Sequence, residues 1–233
     1  MEISIIIPAY NEEKRLENTI CAILSYMNMR NLSYEIIIVD DGSRDSTAKI
    51  ASSFPPPLCK TLSNSKNCGK GFSIARGVKT ARGKYIFFTD ADLSYNPKYI
   101  SEAYDILKNG ADIVAGQRGC ARGGYGIFRK VASRLYEGLC KKIIPLEMGD
   151  TQCGFKGFRR ECARNLFSQL KTAGFGFDTE IMCRAKLSEY EIAPLFVNFT
   201  HKKGSHITAA RSTQMLFDVF HIRRELFGRS FKK

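Results

Sequence analysis

Long apolar runs are missing from this sequence of 233 residues, and their absence limits what the chain can be. No run approaches the roughly 18 residues that a membrane-spanning helix needs. The segment that follows Met1 also lacks the basic start and the small-residue cleavage site of a signal peptide. We therefore expect a cytosolic chain, or one bound to the cytosolic face of a membrane.

Cysteine and histidine patterns that would bind zinc or form disulfides are lacking as well. The eight cysteines lie at scattered spacings without a Cys-x-x-Cys pair, which favours buried reduced thiols. The three histidines do not pair with cysteines at the spacing of zinc ligands. The chain also has no P-loop and no Gly-x-Gly-x-x-Gly fingerprint after its first strand, which argues against a dinucleotide oxidoreductase.

Acidic residues are scarce relative to basic ones. The 23 Asp and Glu residues are outnumbered by 36 Lys and Arg residues, which gives a formal net charge of +13. A phosphorylated substrate, an anionic membrane surface or nucleic acid would explain this charge, and so would a merely soluble basic surface. No recognisable nucleic-acid-binding module is present, so we expect no nucleic acid partner. Much of the excess follows Gly116, whereas the first half contains clustered carboxylates.

Short apolar runs alternate with helical patterns, which predicts one α/β domain with a mostly parallel sheet flanked by helices. Asn11 is expected to cap the first helix, and Ser43 or Asp45 the second. The Gly- and Arg-rich segment 117–128 is predicted to be a loop. The predicted strands are 3–7, 34–39, 60–63, 84–89, 112–115, 151–158 and 191–199. The predicted helices are 12–29, about 45–53, 71–82, 97–109, 129–142, 177–187 and 212–228.

The C-terminal segment combines apolar and basic residues at helical spacing. We divide the chain into a domain of residues 1–211 and a basic amphipathic helix with a tail, residues 212–233. Such a helix can lie in an anionic membrane interface, and it can equally pack its apolar face on the domain. Its apolar residues are Met215, Leu216, Val219, Phe220, Ile222, Leu226 and Phe227.

Two predicted strands end in carboxylates. Asp40 and Asp41 end one, and Asp90-Ala91-Asp92 ends another. The carboxyl ends of parallel strands form the crevice in which open α/β sheets bind ligands. An Asp-x-Asp pair there can reach a hard divalent cation that keeps waters and binds phosphate oxygens. The alternatives are a solvated turn for the second group and a helix cap for the first.

Glycines surround a lysine before the third helix, in Gly69-Lys70-Gly71. Backbone N–H groups at a helix start and the Lys70 ammonium can together attract an anion. The sequence therefore predicts a phosphate-binding contribution from this loop.

These motifs occur in a fixed order, and the order resembles that of the family 2 inverting glycosyltransferases, which have the GT-A (Rossmann-like) fold. The first half contributes Pro8-Ala9-Tyr10-Asn11-Glu12, the segment 39–47, Gly69-Lys70-Gly71 and Asp90-Ala91-Asp92. In the second half, the segments 114–118, 150–156 and 175–180 resemble the dolichyl-phosphate hexose synthases. The segment Asp150-Thr151-Gln152-Cys153-Gly154-Phe155-Lys156 is most similar to the β-glucosyltransferases among them, although the mannosyl enzymes share much of it.

The resemblance implies roles for matching positions. Asp90 and Asp92 would hold Mg²⁺ or Mn²⁺, and Ser94 stands where some relatives have a glutamine ligand. Donor binding would involve Pro8, Tyr10, Glu12, Asp40, Asp41, Lys70, Asp90 and Ala91. Catalytic roles would fall to Asp92, Arg118, Asp150 and Gln152. The acceptor phosphate would be bound by Arg118, Arg129, Arg134, Lys202 and Lys203.

The resemblance also implies a reaction. We expect inverting transfer of a hexose from UDP-glucose, or next from GDP-mannose, to dolichyl or another polyprenyl phosphate. Because a phosphate monoester is already largely ionised near pH 7, it needs cations more than a base. A sugar hydroxyl acceptor would need a general base, for which Asp150 or Asp178 is available. A non-catalytic basic protein that binds membrane or nucleic acid is the alternative of a different class.

A lipid acceptor implies a place in the cell. We expect a cytoplasmic protein that is peripheral on the cytosolic face of a membrane. This membrane would be the endoplasmic reticulum in a eukaryote and the plasma membrane in a prokaryote. The membrane surface is thus a predicted partner, and a membrane-anchoring subunit remains open.

Overall fold

The computed structural model describes residues 1–118, 136, 138–140, 142–144, 150–199 and 209–228, without the side chains of 209–213. In these residues a seven-stranded sheet is flanked by helices. The strands are β1 Ile3–Ala9, β2 Tyr34–Asp40, β3 Cys59–Ser63, β4 Tyr85–Phe88, β5 Ile113–Arg118, β6 Lys156–Arg159 and β7 Ile192–Val197. The labelled helices are α1 Leu16–Asn28, α2 Thr47–Ser52, α3 Lys70–Thr80, α4 Lys98–Lys108, α5 Arg160–Ser168, α6 Phe177–Leu187 and α7 Ala209–Phe227.

The sheet has the order β3-β2-β1-β4-β6-β5-β7 and is mostly parallel. Only β6, among the described strands, runs against its neighbours, because it pairs antiparallel with both β4 and β5. The predicted fold class is confirmed. Strands β1 and β2 are nearly continuous apolar runs because helices cover both faces of the sheet.

The core lies on the two faces of this sheet. On one face Ile5 and Ile36 pack with residues of α1 and α4. On the other face Phe88 stacks on Phe158 at a ring-centroid distance of 5.9 Å, and residues of α3, α5 and α6 surround the pair. Burying each such large apolar side chain contributes roughly 1.5–3 kcal/mol, so the sheet provides a rigid platform for its strand ends.

Two of the local predictions need correction here, and one helix was not predicted. The predicted strand 151–158 is shorter and later, at Lys156–Arg159, and residues before it form a turn. Asn11 does not cap α1, because its backbone is left-handed with φ 55° and the helix begins only at Leu16. Helix α5 was missed, although its buried residues Cys162, Ala163, Leu166 and Phe167 have helical spacing.

Helix α7 packs one of its faces on the domain. Val219 and Ile222 are fully buried, in a cluster with Tyr136, Ile144 and Cys183. Leu216, Phe217 and Phe220 of the same helix are exposed, by 38%, 65% and 51%. Packing on the domain was one of the two alternatives predicted for this segment. The domain boundary at residue 211 stays a prediction. No described helix is both long enough and apolar enough to cross a bilayer.

Parts of two predicted elements lie outside the described residues. Gln117 and Arg118, predicted to begin a loop, end strand β5 instead. The remainder of that loop, residues 119–128, is outside the described residues. Of the helix predicted at 129–142, Tyr136, residues 138–140 and Lys142 are described, and they are helical.

Candidate active site

The carboxylate strand ends meet where the order of the sheet changes direction. Chain order runs outward from β1 through β2 to β3, whereas β4 pairs with the other side of β1. Ladder pairing of β1 with β4 ends at Ile6 and Phe88, so Pro8 needs no N–H for that ladder. Ligands of open α/β sheets bind at such a switch point. The structure thus places Pro8 and the residues that follow β4 at this crevice.

The loop after β1 is held by the loop after β2. The backbone N–H of Asn11 donates to Ser43 Oγ at 3.0 Å, and that of Glu12 donates to Thr47 Oγ1 at 2.7 Å. In return the Asn11 side chain accepts a hydrogen bond from the N–H of Arg44 at 2.9 Å. Ser43 therefore fixes the loop that carries Tyr10 and Glu12 rather than capping α2. Of the two predicted caps, Asp45 is the one that bonds the start of this helix, because its Oδ1 accepts the N–H of Thr47 at 3.0 Å.

The carboxylates of Asp40 and Asp41 bind different segments of the chain. Asp40 Oδ1 accepts the N–H of Ser43 at 3.2 Å at the strand end. Asp41 is 4% exposed, and its two oxygens accept hydrogen bonds from the N–H groups of Cys68 and Gly69 at 2.9 and 2.8 Å. Asp41 thus supports the loop before α3, and its direct contact with a donor stays a prediction, as does that of Asp40.

Lys70 joins the loop before α3 to the first carboxylate of the Asp-x-Asp pair. Its Nζ lies 2.6 Å from Asp90 Oδ1. Gly69 precedes Lys70 with φ 102°, a backbone conformation that residues other than glycine rarely adopt. A Cβ at position 69 would lie 2.5 Å from the Ala173 carbonyl oxygen. Burial opposes the charge of Lys70, but Asp90 and Asp178 outweigh it and raise the pKa of this lysine. The predicted Lys70 is therefore a cation at the crevice.

The Asp90 and Asp92 carboxylates fit a divalent cation. Asp92 Oδ1 accepts the N–H of Ser94 at 3.0 Å, and Leu93 between them is left-handed with φ 54°, a strained conformation for a branched residue. Ser94 Oγ is buried without a hydrogen-bond partner. The described residues contain no group of three or more His, Cys, Asp or Glu side chains that would form a complete metal cage. Two carboxylates suit Mg²⁺ or Mn²⁺, which keep waters and bind substrate phosphates.

Glu12 lies close enough to Asp90 and Asp92 for their negative charges to raise its pKa. Burial raises the pKa of Glu12 to about 7, the Asp92 and Asp90 charges add to the rise, and the Arg15 ion pair opposes it. The Glu12–Arg15 distance is 2.7 Å. Burial in the crevice, with a smaller contribution from the neighbouring carboxylates, therefore lets Glu12 hold its proton near neutral pH.

Glu12→Gln is expected to flatten the pH dependence of stability. The folded-state pKa of about 7 lies above the ordinary value of 4.5. Between these two pH values the folded state therefore binds the Glu12 proton more tightly than the unfolded state does. The free energy of unfolding should then fall as the pH rises through that window, by on the order of 2 kcal/mol. Urea unfolding without divalent metal across this range measures the effect. Glu17→Gln, at an exposed carboxylate of α1, should keep the wild-type slope, and an unchanged slope in Glu12→Gln would contradict the assignment.

Arg118 and Asp150 form a bidentate ion pair on the other side of the crevice. Arg118 Nε and Nη2 lie 2.6 and 2.7 Å from the two carboxylate oxygens of Asp150. The Asp150 N–H donates to Gln117 Oε1 at 2.8 Å, and Gln152 Nε2 donates to Thr179 Oγ1 at 3.1 Å. The structure thus brings Arg118, Asp150 and Gln152 together, and their catalytic roles stay predictions.

Neither Asp150 nor Asp178 has the properties of a free general base. Burial alone would raise the pKa of Asp150, but the Arg118 guanidinium outweighs it and lowers that pKa. Asp178 lies inside α6 and forms a buried ion pair with Lys156 at 2.6 Å. Burial raises the pKa of Asp178 against the opposing charges of Lys156 and Lys70, but the carboxylate is enclosed and holds the Lys156 ammonium. Both carboxylates are therefore committed to cations, which favours an acceptor that arrives already ionised.

Four predicted residues lie outside the described part of the chain. These are Arg129, Arg134, Lys202 and Lys203, and their roles stay predictions. Sequence reasoning gave no role to Tyr95, Gly154, Lys156 or Thr179, which the structure places around the site. A lysine within the apolar run 153–158 was the signal that could have identified one of them.

The fold and site define a glycosyltransferase of GT-A fold. Residues 4–167 match the model described as "Glycosyl transferase family 2", and the chain belongs to this family. The non-catalytic alternative is thereby excluded, and the resemblance stated from the motifs is confirmed.

Named relatives are more specific than the family. The chain is 36% identical to a "Dolichyl-phosphate beta-glucosyltransferase" of Dictyostelium discoideum, over 97% of this chain and 75% of the relative. It is 32% identical to the human protein of that description, over 95% and 75%. Among solved structures, glucosyl-3-phosphoglycerate synthase from Mycobacterium tuberculosis, in complex with Mn²⁺, UDP-glucose and phosphoglyceric acid, matches with a TM-score of 0.74. The two sequences are 20% identical. The match covers 95% of this chain and 79% of the synthase, which shows that the two share a fold.

Proposed function

We propose that this protein transfers glucose from UDP-glucose to dolichyl phosphate, or another polyprenyl phosphate, with inversion at the anomeric carbon. The observation that supports this proposal most strongly is the 36% identity, over 97% of the chain, to a relative described as a dolichyl-phosphate β-glucosyltransferase. The paired carboxylates of the crevice and the Mn²⁺ and UDP-glucose of the structural neighbour support a divalent cofactor, Mg²⁺ or Mn²⁺, and a UDP-sugar donor. GDP-mannose remains the second candidate donor.

Among the described residues, the donor half of the site is anionic with Lys70 at its edge. Asp90 and Asp92 would hold the cation, which when bound neutralises charge on the leaving nucleoside diphosphate. Lys70, whose ammonium lies 2.6 Å from Asp90, provides a further positive charge at the start of α3. Pro8, Tyr10, Glu12 and Asp40 would line the nucleoside pocket along β1 and β2.

The acceptor half is built around Arg118. Asp150 orients its guanidinium, and the charge of Arg118 is secure because Asp150 raises its pKa against the effect of burial. An oriented guanidinium positions an ionised phosphate for in-line attack, and such positioning replaces deprotonation of the acceptor. A hydroxyl acceptor would need a base, and both candidate bases are paired with cations. The glycan-hydroxyl alternative is therefore the weaker one.

Transfer of label tests the proposal directly. The protein is incubated with radiolabelled UDP-glucose or GDP-mannose, Mn²⁺, and either dolichyl phosphate or dolichol, with EDTA in a parallel reaction. We expect labelled lipid from UDP-glucose and dolichyl phosphate alone, and none with EDTA. Label from GDP-mannose alone would change the assigned donor, label on dolichol would support the hydroxyl acceptor, and no labelled lipid from either donor would refute the proposal.

A lipid acceptor requires approach to a membrane, and α7 offers a surface for it. Leu216, Phe217 and Phe220 are exposed on the face opposite the buried Val219 and Ile222, and Arg224 is exposed beside them. Apolar and basic residues on one helix face are typical of binding in an anionic interface. We therefore propose a cytoplasmic protein that is peripheral on the cytosolic face of a membrane. The membrane-anchoring subunit stays a prediction.

Phe217→Ser combined with Phe220→Ser is expected to weaken binding to phosphatidylcholine vesicles that contain phosphatidylserine. Losing two phenylalanines from the interface should lower partitioning by at least about tenfold. Vesicle sedimentation measures it. Met29→Ser, at a 75% exposed methionine after α1, is the matched control and should bind as the wild type does. Equal binding of the double variant and the wild type would remove α7 from the proposal.

A further inference from the structure

A fully buried lysine lies beside the proposed acceptor half without facing the crevice. The Lys156 side chain, at the start of β6, has no exposed surface. Lysine is almost never fully buried unless it is paired. Its ammonium therefore needs a specific set of partners, and these partners indicate what the residue does.

The three ammonium protons of Lys156 have three acceptors. Nζ donates to the Thr151 carbonyl at 2.9 Å, to the Cys153 carbonyl at 2.8 Å and to Asp178 Oδ1 at 2.6 Å. Two of these partners belong to the turn 150–154, and the third belongs to α6. One side chain thus ties the turn to the helix through a fully satisfied ammonium.

The turn that Lys156 holds carries residues of both halves of the site. It begins with Asp150, whose carboxylate binds Arg118 through two hydrogen bonds. At its other end the Gly154 N–H donates to the Tyr95 hydroxyl at 3.0 Å. In the middle, Gln152 bonds Thr179 of α6. Movement of the turn would therefore shift Asp150 and, through it, the guanidinium of Arg118.

Stability alone does not account for such a pair. Replacing a buried ion pair by apolar residues of similar volume is often neutral or stabilising, whereas removing one partner is strongly destabilising. An apolar side chain at position 156, however, would leave two carbonyls of the turn without a donor. Lys156 therefore contributes mainly by fixing the conformation of the turn.

We infer that Lys156, with Asp178 as its counter-ion, is a positioning residue that orients the Arg118–Asp150 pair toward the acceptor phosphate. The inference rests on the proposed transfer to a lipid phosphate. It assigns to the buried pair a task mainly in acceptor binding and turnover, because the turn holds Arg118 through two hydrogen bonds, whereas it only packs against Asp90, which Lys70 also holds at 2.6 Å.

Lys156→Met tests the inference, because methionine keeps most of the volume and removes the ammonium. We expect the KM for dolichyl phosphate to rise and kcat to fall, each by about tenfold or more, as for other supporting residues of a site. The Kd for UDP-glucose with Mn²⁺, measured by calorimetry, should change by a much smaller factor than the KM for dolichyl phosphate. A purely structural role would lower the unfolding midpoint and leave the kinetics of the folded protein unchanged.

Asp178→Asn provides a second route in case Lys156→Met does not fold. Asparagine retains an oxygen for Lys156 and removes the charge, so a smaller change in the same direction is expected. The control is Glu35→Gln, at a buried carboxylate bonded to Ser4 at 2.7 Å, at the amino ends of β1 and β2. It should lower the unfolding midpoint with unchanged kinetic constants.

The outcomes separate the inference from the proposed function. A wild-type protein that forms no labelled lipid refutes the function itself. An active wild type with unchanged acceptor KM and kcat in a folded Lys156→Met or Asp178→Asn variant refutes the positioning role. An equal loss of donor and acceptor binding refutes it as well, because the pair would then support the whole site.

Discussion

Replacing Gly154 by alanine is expected to lower kcat/KM by at least about a hundredfold, because it displaces a carboxylate of the proposed metal site. A Cβ on Gly154 would lie 2.6 Å from the carboxyl carbon of Asp90, and closer still to Oδ2. Real Cβ atoms do not approach so closely, so either the Asp90 carboxylate or the turn must shift, and we expect the carboxylate to leave its place beside Lys70. Steady-state assays with UDP-glucose and Mn²⁺, together with calorimetric donor binding, measure the effect.

The matched control is Gly138→Ala. A Cβ at Gly138 meets nothing within 4 Å, and this residue lies in a helical segment. Alanine there should leave the kinetics unchanged and stabilise the fold by up to roughly 1 kcal/mol. Wild-type donor affinity in a folded Gly154→Ala variant would show that Asp90 does not need its observed position.

Arg118→Lys is expected to reduce kcat/KM for dolichyl phosphate by about a hundredfold although it keeps the charge. Lysine cannot reproduce the two parallel hydrogen bonds, at 2.6 and 2.7 Å, that orient the guanidinium on Asp150. The acceptor phosphate would then meet a mobile point charge in place of a fixed fork. Initial rates at saturating UDP-glucose with varied acceptor isolate this effect.

Arg184→Lys is the comparison for Arg118→Lys. Arg184 binds Glu180 at 2.8 Å within α6, and both side chains are as well buried as the Arg118–Asp150 pair. Its replacement should lower stability slightly and leave kcat/KM intact. Similar kinetic losses in both variants would mean that Arg118 matters for folding rather than for acceptor binding.

The two predictions address halves of one site that a single segment connects. Gly154 touches Asp90 on the donor side, and Asp150 orients Arg118 on the acceptor side. Both residues belong to the turn before β6, the strand that is inserted antiparallel between β4 and β5. The insertion explains how residues some 60 positions apart in the chain, Asp90 and Asp150, reach one crevice.

The sequence alone predicted the features that depend on local pattern. Apolar runs predicted β1, β2 and β4, because strands buried on both faces need continuous apolar residues. Acidic residues at the ends of β2 and β4 predicted the crevice, because parallel strands place these ends at one edge. The ordered motifs predicted the family.

The tertiary structure decided what each polar group contacts. Asp40 and Asp41 are adjacent in sequence, yet only the tertiary fold brings the N–H groups of Cys68 and Gly69 to Asp41. The same holds for Lys156, whose partners in the turn and in α6 meet only after β6 has paired with β4 and β5. Hydrogen bonds and ion pairs depend on distances between segments far apart in the chain, and local patterns carry no information about those distances.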